Sequence, residues 1–285
     1  ALYFNKGLLE EAGIEVPAAD PKNRLTWDDV VDMATKALAK LDPDGTNGIN
    51  GIVFEQNTTA YQMLALPESL GESAIGSDGY TVDGVINTEG WVKAMTFYHD
   101  LYENGLSPRG LTSTENQATF TSGKTLFFIG GIWCASLEYA DGVTWDYTYT
   151  PAFKGYEDKV ATASWHLGVS SYSEHAAEAA AFVKYLTLGE GNDMWLEANG
   201  DIPARTSAVE KYLTDETYAE YPLSIQRIAA YEAANTAVPR PVTPAYSEYE
   251  ALINATLSDI ANGADPATAL QNCVEQTNSL MAKYK

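Results

Sequence analysis

The sequence predicts an α/β fold, and three observations support that prediction. Short apolar runs bounded by polar or glycine-rich residues, such as 50–54 and 125–129, are typical of strands. Longer segments carry apolar residues at helical spacing, as in the stripe from Trp91 to Tyr102. Because these strand and helix signals are interleaved along the chain, they favour an α/β architecture over an all-helical bundle.

The elements of the N-terminal half follow from caps, periodicity and glycines. Thr26 is suited to cap a helix, with Asp28 and Asp29 in the first turn, and the Asp-Pro-Asp-Gly turn at 42–45 ends that helix. After it we predict a strand at 50–54, a helix that ends at Gly105, a helix at 115–122, a strand at 125–129, a helix from about 133 and a strand at 145–150.

The C-terminal half is predicted to be mostly helical. Residues 164–170 are interpreted as one more strand, and Ser173 as the cap of an alanine-rich helix that ends at Gly189. Asp265, with Pro266 at the first helical position, marks the start of the last helix. Other helices are predicted from about 192, from about 207, over 216–235, and from about 247 beyond the proline-rich connector at 239–244.

Composition and charge exclude several classes of function. The 285 residues, 45% of them hydrophobic, are enough for about two domains with real cores. The formal net charge is -22, and a surface this acidic repels phosphate backbones and anionic lipid headgroups. We therefore expect no nucleic-acid partner. The two distant cysteines, Cys134 and Cys273, are expected to be buried thiols on separate helices, and a disulfide between them is left open.

Five segments in order along the chain resemble one family. They are the opening LYFNK (2–6) with Ala12-Gly13, TWDD (26–29), FTSGKTLFFIGGIW (120–133), GDIPAR (200–205) and RPVTPAY (240–246). Together they resemble the family 1 extracellular solute-binding proteins, the group that contains maltose-binding protein. The resemblance implies a periplasmic-binding-protein-like (type II) fold, in which two α/β lobes are joined by crossing segments and hold the ligand in the cleft between them.

The resemblance also implies an assignment of the chain to lobes. Residues 1–164 and 212–285 correspond to an essentially complete second lobe, and residues 165–211 to the returning part of the first lobe. In the family the opening segment follows more than a hundred residues of the first lobe. We therefore expect that this chain lacks the N-terminal portion and that its first lobe is only partly represented.

Candidate ligand contacts are aromatic and planar polar side chains, which suit the C–H faces and hydroxyls of sugars. Trp133 follows Gly130-Gly131 where a strand passes into a helix, and the family resemblance supports a stacking role for it. The loop that contains Glu55, Gln56 and Asn57 follows a strand and is rich in hydrogen-bonding groups, although an ordinary polar turn is equally compatible with it.

The remaining candidates each have a structural alternative. The further residues are Tyr61, Trp165, Asp201, Arg205, Arg240 and Tyr246. Tyr61 could face the core, Trp165 could pack between lobes, and Arg205 could fix its loop to a carboxylate. The expected set contains no catalytic residue and no resident cofactor.

A calcium loop is the weakest candidate site. Asp42, Asp44, Thr46 and Asn50 supply oxygens at alternating positions, as in an EF-hand, and some members of the family bind calcium through a similar segment. This version departs from the pattern because Gly48 comes one place late and Val53 stands where the loop needs Glu. An Asx-rich turn is the alternative.

The predicted function is that of the extracellular substrate-binding component of an ABC importer. We expect it to bind a carbohydrate, an oligosaccharide in particular, and to act as a monomer with permease subunits as partners. It would be a cell-surface lipoprotein or a periplasmic protein, and not an enzyme. The alternatives are a carbohydrate-active enzyme such as a glycoside hydrolase, which needs two carboxylates across a cleft, and the same fold with a polyamine or peptide as ligand.

Overall fold

The computed structural model describes residues 1–284 and divides into two units. The first unit consists of residues 1–162 together with those from 236 onward, and the second unit is 163–235. The predicted lobe boundaries are 164/165 and 211/212. The first unit boundary of the structure, 162/163, lies close to the first of these, whereas the second, 235/236, lies further along the chain than predicted. The lobe assignment itself stays a prediction.

The first unit contains all the strands among the described residues and most of the long helices. In chain order its elements are β1 (Leu2–Asn5), α1 (Lys6–Ala12), α2 (Trp27–Leu41), β2 (Asn50–Phe54), α3 (Ala60–Met63), α4 (Ala65–Ser69), α5 (Glu89–Glu103), α6 (Ser113–Thr121), β3 (Thr125–Ile129), β4 (Trp145–Thr148) and β5 (Val160–Ala161). A short 3₁₀ helix, Ile132–Ser136, follows β3. The first unit resumes after the second unit, and its next strand is β6 (Ala237–Val238).

A four-stranded mixed sheet in the order β2-β3-β1-β4 lies at the centre of the first unit. Strands β2 and β3 are parallel, whereas β1 runs antiparallel to both β3 and β4. All five residues of β3 are buried, which explains why its sequence is a continuous apolar run without alternation. Because β2 and β3 are parallel neighbours, their carboxyl ends place the residues after Phe54 and after Ile129 at the same edge of the sheet.

A second pair of strands is very short. Strands β5 and β6 pair in parallel, with Val160 opposite Ala237 and Ala161 opposite Val238. They stand directly before and directly after the second unit, so the chain leaves and re-enters the first unit side by side.

Helix caps confirm several predicted starts. Thr26 and Asp29 form a capping box at α2, in which the Thr26 side chain accepts from the backbone N–H of Asp29 and the Asp29 carboxylate accepts from that of Thr26. Asp265 caps the last α-helix, with Pro266 at its first position. That last α-helix (Pro266–Met281) and the helix before it (Tyr246–Ala261) both pack on α5 over buried Trp91, Tyr98 and Tyr249.

The second unit is helical and exposes many apolar side chains. It consists of α7 (Ala176–Leu188), α8 (Glu190–Asn199), α9 (Thr206–Thr214) and α10 (Ser224–Asn235), and the first unit then continues to α11 (Tyr246–Ala261) and α12 (Pro266–Met281). Helix α7 has no buried residue, and its Phe182 is 60% exposed. The second unit therefore has only a small core of its own.

Two predicted elements and one predicted helix cap are wrong. Residues 164–170 form no strand, because no neighbouring strand supplies hydrogen-bond partners and the whole segment is exposed. Ser173 is not the cap, since α7 begins at Ala176 and His175 precedes it. The predicted helix over 216–235 is instead a 3₁₀ turn, Glu216–Tyr218, followed by α10, and Pro222 stands in the break between them.

Cys134 and Cys273 are both buried and both free, as expected for unpaired thiols. Burial is the main cause that raises the pKa of each thiol, so neither has the exposed thiolate character of a reactive cysteine. None of the helices within residues 1–284 has the length and apolar character needed to cross a membrane.

Candidate functional site

The candidate site lies where β2 and β3 end, and a buried carboxylate is at its centre. Glu55 directly follows β2 and is only 2% exposed. Its Oε1 accepts from Gln117 Nε2 at 2.6 Å and from Trp133 Nε1 at 2.7 Å. Its Oε2 accepts from Gln62 Nε2 at 2.9 Å and from the backbone N–H of Gly131 at 3.3 Å. Four N–H donors thus satisfy both oxygens of this buried carboxyl group.

Trp133 lies on the 3₁₀ helix after β3, and its side chain is 43% exposed. Besides the Glu55 bond, the ring lies over Gly131 so closely that a Cβ at position 131 would overlap it. The Gly131 carbonyl in turn accepts from Tyr3 Oη at 2.7 Å, which ties this turn to β1. The indole is therefore held on its polar edge and on one face, while a substantial part of the ring remains open to solvent.

A buried polar network supports the loop that follows Glu55. The Asn57 carbonyl accepts from Tyr98 Oη at 2.7 Å, and its Nδ2 donates to Tyr102 Oη at 3.1 Å. Asn116 Nδ2 donates to the carbonyls of Phe54 and Glu55 and to Oδ1 of Asn57. The side chain of Asn57, 6% exposed, thus serves the core with both of its polar atoms and presents neither to a ligand.

Gln56 lies between these two buried residues and differs from them. Its backbone N–H donates to Gln62 Oε1 at 2.9 Å. Its half-buried side-chain amide forms no hydrogen bond with any residue from 1 to 284 and is free to meet a ligand hydroxyl.

Tyr61, Arg240 and Tyr246 lie close together. The Arg240 guanidinium lies 4.8 Å from the Tyr61 ring centroid and 5.9 Å from that of Tyr246. Tyr246 Oη donates to Glu250 at 2.9 Å. Burial raises the pKa of Tyr61, with Arg240 opposing and Glu55 adding to the shift, so this group is within electrostatic range of the Glu55 carboxylate.

Tyr61 and Arg240 also line a small recess beside β5 and β6. Its empty space is about 190 Å³ and is open to solvent, and Glu68 and Thr162 lie in the same wall. Burial raises the pKa of Glu68 to about 7, although the nearby positive charge of Lys159 acts in the opposite direction. The recess thus combines a cation, aromatic faces and a carboxyl group that resists ionisation.

Three of the predicted residues, Trp165, Asp201 and Arg205, belong to the second unit. Asp201 accepts from Trp195 Nε1 at 2.8 Å. Arg205 donates to Asn192 at 3.0 Å and forms an ion pair with Asp193, which corresponds to the structural alternative of fixing its own loop. Trp165 is 99% exposed.

The candidate calcium loop is closed by its own hydrogen bonds. The Asp42 carboxylate accepts from the backbone N–H groups of Asn47 at 2.8 Å and Ile49 at 3.1 Å, and these bonds lower its pKa. Asp44 accepts from Thr46 Oγ1 at 2.7 Å. Asn50 Nδ2 donates to the Lys124 carbonyl. These contacts are those of an Asx-type turn, and across residues 1–284 no cluster of three or more His, Cys, Asp or Glu side chains is arranged to hold a metal.

Sequence reasoning missed the residues that hold the site in place. Gln62, Gln117 and Gly131 donate to Glu55 from 7, 62 and 76 positions away, and Glu68 carries no local motif. The parallel pairing of β2 with β3, had it been predicted, would have pointed to Gly131, since it brings the two strand ends together.

Comparison with known proteins gives a family match over most of the chain. Residues 1–224 match the family described as bacterial extracellular solute-binding protein. A curated binding protein of Brucella abortus is 29% identical over 127 residues, which are 44% of this chain and 28% of that protein. The chain therefore spans less than a third of the length of the curated relatives it matches.

Solved structures extend the likeness to the fold. The ABC substrate-binding protein of Listeria monocytogenes in complex with cycloalternan is 20% identical with a TM-score of 0.76, over 99% of this chain and 69% of that one. The GacH receptor of Streptomyces glaucescens, solved unliganded and with acarbose, is 21% identical with a TM-score of 0.77, over 100% and 69%. Maltose-bound MalE3 of T. maritima is 23% identical with a TM-score of 0.77, over 98% and 70%.

Proposed function

Since this chain belongs to the bacterial extracellular solute-binding protein family, we propose that it is the substrate-binding part of an ABC importer and that it binds an oligosaccharide. The family is one of binding proteins and not of enzymes. One observation carries the choice of ligand: an indole that is held at its edge and on one face, and that is 43% exposed, stands at the carboxyl end of a buried strand.

An indole in this setting is suited to a pyranose ring. The C–H face of a sugar packs against a flat aromatic surface, and nearby planar polar groups bond its hydroxyls. The free amide of Gln56 and the recess with Tyr61 and Arg240 supply such groups on the same unit. Tyr246 is a second aromatic contact in the proposal, whereas Glu55 and Asn57 support the site from within.

The alternatives gain less support from these side chains. A glycoside hydrolase would need two carboxylates facing the scissile bond, but the Glu55 oxygens are both saturated by protein donors. A polyamine would be repelled by the guanidinium of Arg240, which forms no ion pair within residues 1–284.

The finer statements belong to the same proposal. Residues 1–164 with 212–285 are the second lobe and 165–211 are the returning part of the first, with Trp165, Asp201 and Arg205 as candidate contacts from that part. The protein acts as a monomer outside the cytoplasmic membrane, as a lipoprotein or in the periplasm, and delivers its sugar to permease subunits.

Isothermal titration of the 285-residue chain with maltose, maltotetraose and acarbose, and with spermidine as the non-sugar probe, tests the proposal. We expect binding of at least one sugar and none of spermidine. Trp133→Ala should weaken the affinity for that sugar at least about tenfold, since an aromatic anchor dominates such sites. Trp145→Phe, at a tryptophan packed on Tyr139, is the control. Unchanged affinity in Trp133→Ala would rule out the stacking role.

A further inference from the structure

We propose that Glu55 is a positioning residue: its carboxylate sets the plane of the Trp133 indole and does not itself contact the ligand. The proposal rests on the proposed function only in so far as Trp133 is the ligand platform. It reassigns Glu55, which the sequence alone places among the candidate ligand contacts because it begins a polar loop after a strand.

The Glu55 carboxylate has no acceptor capacity left for a ligand. A carboxylate offers about four lone-pair sites, and four N–H groups occupy them, two on each oxygen. With 2% of the residue exposed, a sugar hydroxyl could reach it only by displacing one of these donors.

Two restraints on Trp133 together define the plane of its ring. Nε1 is the only hydrogen-bond donor of an indole, and its bond to Glu55 Oε1 fixes the polar edge at 2.7 Å. Gly131 lies against one face and has no side chain that would push the ring away. A ring fixed at its edge and on one face can offer only its remaining open surface to a ligand.

Glu55 is itself rigidly held by neighbouring amide groups. Asn116 donates to the Glu55 carbonyl at 3.2 Å, and Gln62 links the Glu55 carboxylate to the backbone N–H of Gln56. Because the acceptor cannot move, the indole that it binds is fixed before a ligand arrives, which reduces the ordering that binding must accomplish.

The indole N–H resonances in a ¹H–¹⁵N spectrum of the 285-residue chain test the positioning without any ligand. The six tryptophans give six such signals, and Trp133→Phe assigns the one of interest. A hydrogen bond to an ionised acceptor is short and strong, so Glu55→Gln should move the Trp133 signal upfield more than any other. Glu11→Gln, an exposed glutamate that loses the same charge, should leave it unchanged. A Trp133 signal that stays in place in folded Glu55→Gln overturns the proposal.

Solvent exchange in the unaltered chain covers the case in which Glu55→Gln does not fold. We expect the Trp133 indole N–H to exchange more slowly than that of Trp165, which is 99% exposed. Equal exchange rates for the two would overturn the proposal as well.

A double-mutant cycle with maltotetraose, or with whichever sugar binds in the titration above, separates positioning from direct contact. Glu55→Gln should weaken binding about tenfold when Trp133 is present and less than about twofold in the Trp133→Phe background, where no N–H remains to be held. Equal weakening in both backgrounds would assign Glu55 to the ligand and overturn the proposal. If no sugar binds, the proposed function fails, while the resonance and exchange measurements still decide the role of Glu55.

Discussion

Two indole–carboxylate hydrogen bonds of nearly equal length lie in the two units of this protein. Trp133 donates to Glu55 at 2.7 Å in the first unit, and Trp195 donates to Asp201 at 2.8 Å in the second. The indoles are exposed to a similar degree, 43% and 53%. The acceptors differ, because Glu55 is buried and receives three further N–H donors, whereas Asp201 is only half-buried.

The difference shows that burial of the acceptor determines whether such a bond holds the indole in one orientation. Water can replace either partner of an exposed pair, so its bond contributes little and leaves the ring free to turn. A buried carboxylate must keep its donors, and each donor is fixed in return. The ring in the first unit is therefore held in place before a ligand arrives, whereas the similar bond in the second unit does not fix its ring.

Removal of the two acceptors should give the largest contrast. Glu55→Ala leaves four N–H groups facing a void and should lower the free energy of unfolding of the first unit by about 3 kcal/mol or more. Asp201→Ala should lower that of the second unit by less than about 1 kcal/mol. Urea unfolding followed by amide signals assigned to each unit measures both changes. Equal losses at the two positions would refute the role given to burial.

Glu68 extends the comparison to a half-buried carboxyl that accepts no N–H bond from residues 1–284. Burial raises its pKa to about 7 from an ordinary 4.5. A folded-state pKa above the unfolded one means that the stability contribution is complete below about 4.5 and is lost as the pH rises to about 7. Glu68→Gln stays neutral, so it should exceed the parent chain in stability at pH 8 by on the order of 2 kcal/mol and match it at pH 4.5.

Urea titrations of both proteins at several pH values check this expectation. Glu11→Gln removes the same charge from an exposed helix position and should show no such pH-dependent difference. A stability gap between Glu68→Gln and the parent chain that does not widen with pH would mean that Glu68 ionises in the folded protein at its ordinary pKa, as it does in the unfolded chain.

The paired glycines before Trp133 provide a smaller contrast within the site. A Cβ at position 130 would lie 2.7 Å from Phe128 Cε1 and 2.8 Å from Cys134 Sγ, both buried, whereas one at 131 would meet the half-exposed Trp133 ring. Gly130→Ala should therefore cost about 1–3 kcal/mol of stability. Gly131→Ala should cost about 1 kcal/mol, because the half-exposed ring can move away from the new Cβ only by giving up its bond to Glu55, and it should weaken sugar binding about tenfold.

Thermal unfolding and sugar titration of both glycine variants separate these two effects. If Gly131→Ala bound sugar as tightly as the parent chain, the ring orientation seen here would be irrelevant to the ligand.

Much of the first unit could be predicted from local sequence signals. The capping box of Thr26, the Asp265-Pro266 start and the apolar runs of β2 and β3 each act within a few residues, and the structure confirms them. The strand predicted over 164–170 is wrong because a strand depends on residues outside its own segment. Alternating apolar residues favour a strand, but a strand also needs a partner, and whether one exists cannot be deduced from the segment itself.

The candidate site could be predicted only at its surface. Trp133 follows glycines at a strand end, and that local pattern makes it a candidate contact. The function of Glu55 depends on donors that lie up to 78 positions away. Asn57 shows the same limit, because Tyr98, Tyr102 and Asn116 turn it inward, and all three come from later elements. A polar residue in a loop thus has the same local signal whether it faces a ligand or the core.

The smallest effect is expected at Asp42, a third carboxylate that is satisfied by N–H groups. Its oxygens accept from the backbone of Asn47 and Ile49, which also lowers its pKa. A calcium ion would have to replace these bonds, and the loop offers no glutamate at position 53 to help. We therefore expect dialysis against a chelator, and then addition of calcium, to leave the melting temperature unchanged. A clear rise with calcium would show that a carboxylate saturated by its own loop can still exchange N–H donors for a cation. Saturation by N–H donors would then no longer imply that Glu55 is closed to a ligand.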